Sequence, residues 1–139
     1  HVNNYIYIVD RETYSWGGIE RIYKYDINND KCTRIDVPRD TERGFMRIRT
    51  IAVDPKSTSV IYVGGAGDYF SSSTGLLRSV DGGDTWRVLT TANNPHYEEW
   101  ATNKGGYEVS CLGIDPQTGK VWLASGCYGY STINPPYQK

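Results

Sequence analysis

Apolar and polar residues alternate along this chain in short runs. The runs fall near 5–9, 21–25, 32–35, 47–53, 60–64, 75–80, 86–90, 108–114 and 121–125, with a shorter one near 129–133. Alternation of this kind, rich in Tyr, Ile, Val and Trp, predicts half-buried β-strands. No stretch of ten residues repeats its apolar positions at helical spacing, so the pattern predicts an all-β chain. Asn, Asp, Gly and Pro, the residues that favour turns, separate the runs. Asn134-Pro135-Pro136 then stops strand pairing, because proline has no N–H to give a ladder.

The runs repeat. Ile51-Ala52-Val53-Asp54-Pro55 returns as Leu112-Gly113-Ile114-Asp115-Pro116, and each is followed by a short polar turn. An aromatic-bearing strand comes next in both, Val60-Ile61-Tyr62-Val63-Gly64 and Val121-Trp122-Leu123-Ala124-Ser125. Tyr5-Ile6-Tyr7-Ile8-Val9 is an earlier copy of that strand, 55 residues before it, and the later copy follows after 60. Self-similarity at this period marks a repeat architecture of supersecondary units.

Between two strand runs lies Ser79-Val80-Asp81-Gly82-Gly83-Asp84-Thr85-Trp86. Gly82 and Gly83 can adopt positive φ, as a tight turn demands. Asp81 and Asp84 can accept hydrogen bonds from nearby backbone N–H groups and lock that turn. Thr85 and Trp86 open the returning strand, with an indole large enough to plug a gap beneath the hairpin. A decayed copy lies 54 residues earlier. There Asn28 and Asn29 replace the glycines, Asp30 matches Asp84, and Cys32 stands for Trp86 as a small packed residue. The two Asp do not meet the EF-hand pattern, and no metal is expected here.

The octet, S-x-D-x-G-x-T-W, resembles the Asp-box of secreted β-propellers such as sialidases, xyloglucanase-type glycoside hydrolases and sortilin-type receptors. The resemblance covers roughly 47–125, with a fainter echo in 5–37, and leans towards the xyloglucanase and sortilin types. True sialidases carry a Phe/Tyr-Arg-Ile-Pro segment, whereas Phe45-Met46-Arg47-Ile48-Arg49 lacks the proline. The resemblance implies an all-β fold of four-stranded antiparallel propeller blades. It implies secretion, and an activity on or affinity for polysaccharide; if enzymatic, the chain would belong to a glycoside hydrolase. The alternative is a non-catalytic propeller acting as protein-binding receptor, assembly factor or extracellular scaffold.

On this reading 1–37 is a partial blade, 47–90 a complete blade with the Asp-box, and 108–133 a second partial blade, about two and a half in all. Propellers close with four to eight blades, so this is an incomplete propeller or a segment of one. Its open sheet edges call for a partner: the remainder of a propeller, another polypeptide or copies of itself. The chain opens with His1 rather than Met and reads as a processed or excised product.

Blade topology puts the short turns, the Asp-box included, on one rim and the long loops on the other, where binding residues concentrate. The long loops carry Trp16, Tyr69, Tyr97, Trp100 and Tyr128, whose rings can stack on sugars. They also carry Asp68, Glu98 and Glu99, weak candidates for the two carboxyls of glycoside hydrolysis. A plainer reading stands beside this one: loop aromatics pack down onto a small β domain, and loop charges are solvated.

Composition narrows the classes. Net charge is −1, which implies no broad basic field for nucleic acid. No run approaches 18 apolar residues, so no membrane-spanning helix is predicted. No cofactor motif is found. Three cysteines and two histidines show no zinc spacing. Cys111 and Cys127 fall on neighbouring strands of one predicted hairpin, and whether they are bridged stays open.

Overall fold

The computed structural model describes residues 4–11, 20–37, 47–66, 76–89, 109–125 and 129–133. The candidate site residues Trp16, Asp68, Tyr69, Tyr97, Glu98, Glu99, Trp100 and Tyr128 lie outside them, as does Cys127. The described residues are all-β, with no helix, and form three antiparallel sheets. The first contains β1 (Tyr5–Arg11), β2 (Glu20–Asp26) and β3 (Lys31–Ile35), in chain order. The middle sheet orders β4 (Arg47–Asp54), β5 (Ser57–Ala66), β6 (Leu76–Ser79) and β7 (Arg87–Val88). The third contains β8 (Cys111–Ile114), β9 (Val121–Ser125) and β10 (Gly129–Ile133). These strands fall where the alternation of apolar residues predicts them.

The period-two rule explains how one strand serves two cores. In β5, Ile61 and Val63 point to one face and join Ile22, Ile35, Ile48 and Leu77 in a cluster between the first and middle sheets. Tyr62 points to the other face and joins Leu76, Leu89, Val109, Val121 and Leu123 in a cluster between the middle and third sheets. Each fully buried Ile, Val or Leu contributes about 1.5–3 kcal/mol. The middle sheet is therefore covered on both faces, and its strand text is nearly all apolar across 60–63. We call the face of a sheet that looks to the preceding sheet its leading face, and the opposite one its trailing face.

Register carries the faces across each sheet. Ile6 pairs with Tyr25 and Ile8 with Tyr23, so these share the leading face of the first sheet. Tyr25 pairs in turn with Cys32, which puts the cysteine on that face too. Cys32 is exposed rather than packed, a correction to the sequence expectation. Its counterpart Trp86 packs against the cluster between the first and middle sheets. Cys32 has the same position in its own sheet, but no sheet among the described residues lies against it. Cys111 pairs in register with Ala124 and carries a free, exposed thiol.

Candidate functional site

The described site is the turn between β6 and β7, and it is built from one buried hydroxyl outward. Ser79 is 1% exposed, and its Oγ donates to Asp81 Oδ1 at 2.7 Å. The same oxygen accepts from the N–H groups of Gly83 at 2.9 Å and Asp81 at 3.3 Å. A buried hydroxyl without such partners would be costly, so this polar hub is stable only because it is satisfied. Asp81 then reaches forward: Oδ1 accepts from Thr85 N–H at 2.9 Å, and Oδ2 from the Thr85 hydroxyl. Trp86 closes the loop, its Nε1 donating to Gly83 O at 3.0 Å.

Backbone conformation makes both glycines necessary for different reasons. Gly82 has φ 79° and Gly83 φ 104°, a region that residues with a Cβ rarely enter. A Cβ on Gly82 would meet only Lys24 Nζ, at 3.8 Å. A Cβ on Gly83 would lie 2.6 Å from Ile35 Cγ2. The turn thus sits directly on the end of β3. It is also tied to the start of β5, where Gly82 N–H donates to Ser59 O at 2.9 Å.

Hydrogen bonds from Thr85 first, and from Ser79, hold the Asp81 carboxyl down to about 2. A carboxylate so held is ionised across the ordinary pH range and is a poor proton donor. Asp84 is exposed and forms no bond in the network, which corrects the expectation that both aspartates lock the turn.

The decayed copy keeps its turn by different means. Asp26 accepts from Asn28 N–H at 3.0 Å, Asn29 N–H at 3.3 Å and Asn29 Nδ2 at 2.7 Å. These bonds, the Asn29 side chain first, lower its carboxyl below the usual value. Positive φ falls on Asp30, at 49°, and not on Asn28 or Asn29 as the sequence suggests. Tyr25 donates its hydroxyl to Asp30 at 2.6 Å, which raises the phenol. An aspartate two residues before an Asn backbone N–H is the signal for such a turn, and it was legible in the text.

A groove of about 490 Å³ runs between this turn and all three strands of the first sheet. Lys24, Lys31, Arg34, Asp26, Asp36 and Asp81 line it with both signs of charge. Arg34 and Asp36 pair at 2.6 Å, and Lys24 lies 4.0 Å from the Tyr5 ring centre. Among the described residues no group of three or more His, Cys, Asp or Glu could hold a metal ion. No helix among them is long and apolar enough to cross a membrane.

At the opposite end of the sheets lie the residues that flank most of the sequence-predicted candidates. Val109 N–H donates to Gly65 O at 2.8 Å, and Leu89 N–H to Leu76 O at 3.0 Å. The described residues that flank 67–75 and 90–108 are therefore joined at one end of the middle sheet. Asp68 and Tyr69 belong to 67–75, and Tyr97, Glu98, Glu99 and Trp100 to 90–108. The turn at 79–86 is tied to Ser59 at the other end of β5. Gly64 permits the first anchor: a Cβ there would lie 2.6 Å from Val109 Cγ1 and 2.8 Å from Thr50 Cγ2.

No protein-family model matches the chain, and no curated protein sequence matches it either.

Proposed function

We propose that this chain is a segment of a secreted Asp-box β-propeller that acts on or binds polysaccharide, with its three sheets as successive blades. The observation that carries the reading is the turn at 79–86, where Ser79, Asp81, Gly83, Thr85 and Trp86 are joined in one hydrogen-bonded network. Two further observations support it. The sheets follow one another face to face, with the middle one covered on both sides. The described residues that flank the segments bearing Asp68, Glu98, Glu99 and several aromatics are joined at the end away from the turn at 79–86. Rigid strands holding long connections at one end are where binding groups collect.

In this reading Trp16, Tyr69, Tyr97, Trp100 and Tyr128 stack on sugar rings, and a pair drawn from Asp68, Glu98 and Glu99 or from further blades supplies acid and base. A plant-polysaccharide pull-down and a reducing-end assay test it on the assembled protein. Binding that weakens when the aromatics become Ala, and turnover lost in Asp68→Ala, Glu98→Ala or Glu99→Ala with folding intact, are expected. Failure to bind any glycan refutes it. A non-catalytic scaffold is the second reading, favoured by the apolar side chains exposed on the outermost sheet faces. It predicts glycan-independent capture of a protein partner.

A further inference from the structure

Asp81 is followed by Gly82, and nowhere else in the chain does Asp or Asn precede Gly. That dipeptide carries a chemistry of its own. A backbone nitrogen can attack the side-chain carboxyl of the residue before it, and a glycine nitrogen does so most readily because no Cβ stands in the way. Other aspartates at turns are closed to the reaction. Asp54 and Asp115 precede Pro55 and Pro116, whose nitrogens carry no proton to lose. In the decayed copy Asp26 precedes Ile27, whose branched Cβ crowds the nitrogen.

In the folded chain both reacting groups at 81–82 are engaged. The Gly82 N–H is directed at β5, where it donates to Ser59 O at 2.9 Å. The Asp81 carboxyl accepts from Ser79 Oγ at 2.7 Å, from Thr85 N–H at 2.9 Å and from the Thr85 hydroxyl. These bonds hold it ionised, whereas the attack consumes the protonated form, from which a hydroxyl can leave. Asp81 is exposed, so the water that the later step consumes is at hand.

We infer that Asp81–Gly82 is a site of isoaspartate formation that the folded turn keeps closed and that opens only when the turn comes apart. Gly82 N forms a bond to Asp81 Cγ. The Cγ–OH bond breaks, and the hydroxyl leaves with the N–H proton as water. The cyclic imide then takes water back. Breaking the Cγ–N bond restores aspartate, whereas breaking the bond from Gly82 N to the Asp81 backbone carbonyl carbon leaves isoaspartate. Nothing is oxidised or reduced. The product has an extra methylene in the backbone between Ser79 and Gly83, and its free carboxyl sits on Cα. The spacing by which Ser79 Oγ accepts from Gly83 N–H, and Asp81 from Thr85, is lost. Gly83 lies directly on Ile35, so a turn that cannot re-form leaves the contact with β3 unsealed. Isomerisation thus makes a transient opening permanent. The chemistry concerns one turn and is independent of the glycan reading.

The test incubates the full chain in mildly acidic buffer, folded and in urea. Isoaspartate is read by methyl transfer from an isoaspartyl-specific carboxyl methyltransferase and located by electron-transfer mass spectrometry. Isoaspartate at 81 should accumulate in urea, and at least about tenfold more slowly in the folded chain, where the rate is scaled by the fraction of turns open. Thr85→Val keeps the side-chain shape but removes the hydroxyl. It should speed the reaction about tenfold in the folded chain and leave the urea rate unchanged. Gly82→Ala should slow it in urea. Equal rates for the folded and urea-treated parent, or a folded rate indifferent to Thr85→Val, overturn the closed state. No isoaspartate at 81 in urea overturns the site. The comparison of folded and urea-treated parent stands whether or not the variant folds. Aged chain returned to buffer should melt at a lower temperature than fresh chain, and unchanged melting overturns the claim that the modification holds the turn open.

Discussion

Replacing Gly83 by Ala asks whether the turn at 79–86 is a seal between two sheets or only a local hairpin. The first cost is conformational. Gly83 sits at φ 104°, and holding a residue with a Cβ in so sparse a region costs about 1–3 kcal/mol. The second cost is steric. The new methyl would be 2.6 Å from Ile35 Cγ2 and 3.1 Å from its Cδ1. Ile35 is 6% exposed and packed among Ile22, Ile61 and Leu77, so it has little room to yield. Overpacking of this kind costs about 1–3 kcal/mol. The turn cannot swing away, because Gly83 N–H is bonded to Ser79 and Gly83 O to Trp86. Together the costs reach about 2–6 kcal/mol, a large part of a typical domain's 5–15 kcal/mol.

Gly82→Ala is the control. Its Cβ would meet only Lys24 Nζ at 3.8 Å, which leaves a backbone cost of about 1–2 kcal/mol. The assay is urea denaturation of Gly83→Ala, Ile35→Ala and the double variant. Ile35→Ala alone should cost about 2–5 kcal/mol through the cavity it leaves. In the double variant the clash disappears, so the two costs should sum to more than the measured loss by about 1–3 kcal/mol. Strict additivity, or a Gly83→Ala cost no larger than that of Gly82→Ala, would refute the docking of the turn on β3.

Two further outcomes follow from the same geometry. The Asp81 carboxyl is lowered to about 2 in the folded chain, so its contribution is fully present above the ordinary carboxyl range and lost as pH falls from about 4 through about 2. Thermal unfolding followed against pH should fall more steeply through that window in the parent than in Asp81→Asn, and parallel curves would refute the linkage. Ile61→Ala should cost about 2–5 kcal/mol, while its repeat copy Ile6→Ala should stay within about 0.5 kcal/mol in dilute solution. Equal losses at the two positions would refute the account of covered and uncovered faces.

Much of the fold was legible in the text because it is written in short-range terms. The strand spans 60–64 and 121–125 stand out by alternation, and the observed β5 and β9 contain them. Ser79, Asp81 and the paired glycines announce a turn because their bonding reaches only four residues along the chain. Where the reading failed, a longer reach decided. Cys32 aligns with Trp86 in sequence, yet the core that receives Trp86 is made by a preceding sheet, and nothing local to Cys32 reports that none among the described residues lies against it. Asp84 has the right chemistry to lock the turn, but Ser79 and Asp81 already occupy the N–H groups that matter. The candidate loop residues were legible only as a composition of carboxylates and aromatics, and they fall outside the described residues.

Periodicity, turn chemistry and the repeat belong to the sequence by itself, because each depends on residues within a strand or a hairpin. It determined an all-β chain, its strand positions, the turn at 79–86 and the spacing of the repeat. It did not determine which copy of a residue is buried. Ile6 and Ile61 sit in nearly the same local text, Tyr-Ile-Tyr-Ile-Val against Val-Ile-Tyr-Val-Gly, and differ in exposure by 48% against 0%. Burial is a property of what lies across a face, some ten ångströms away in space and tens of residues away in the chain. Only the tertiary structure, by setting one sheet on the next, decided which apolar faces became core.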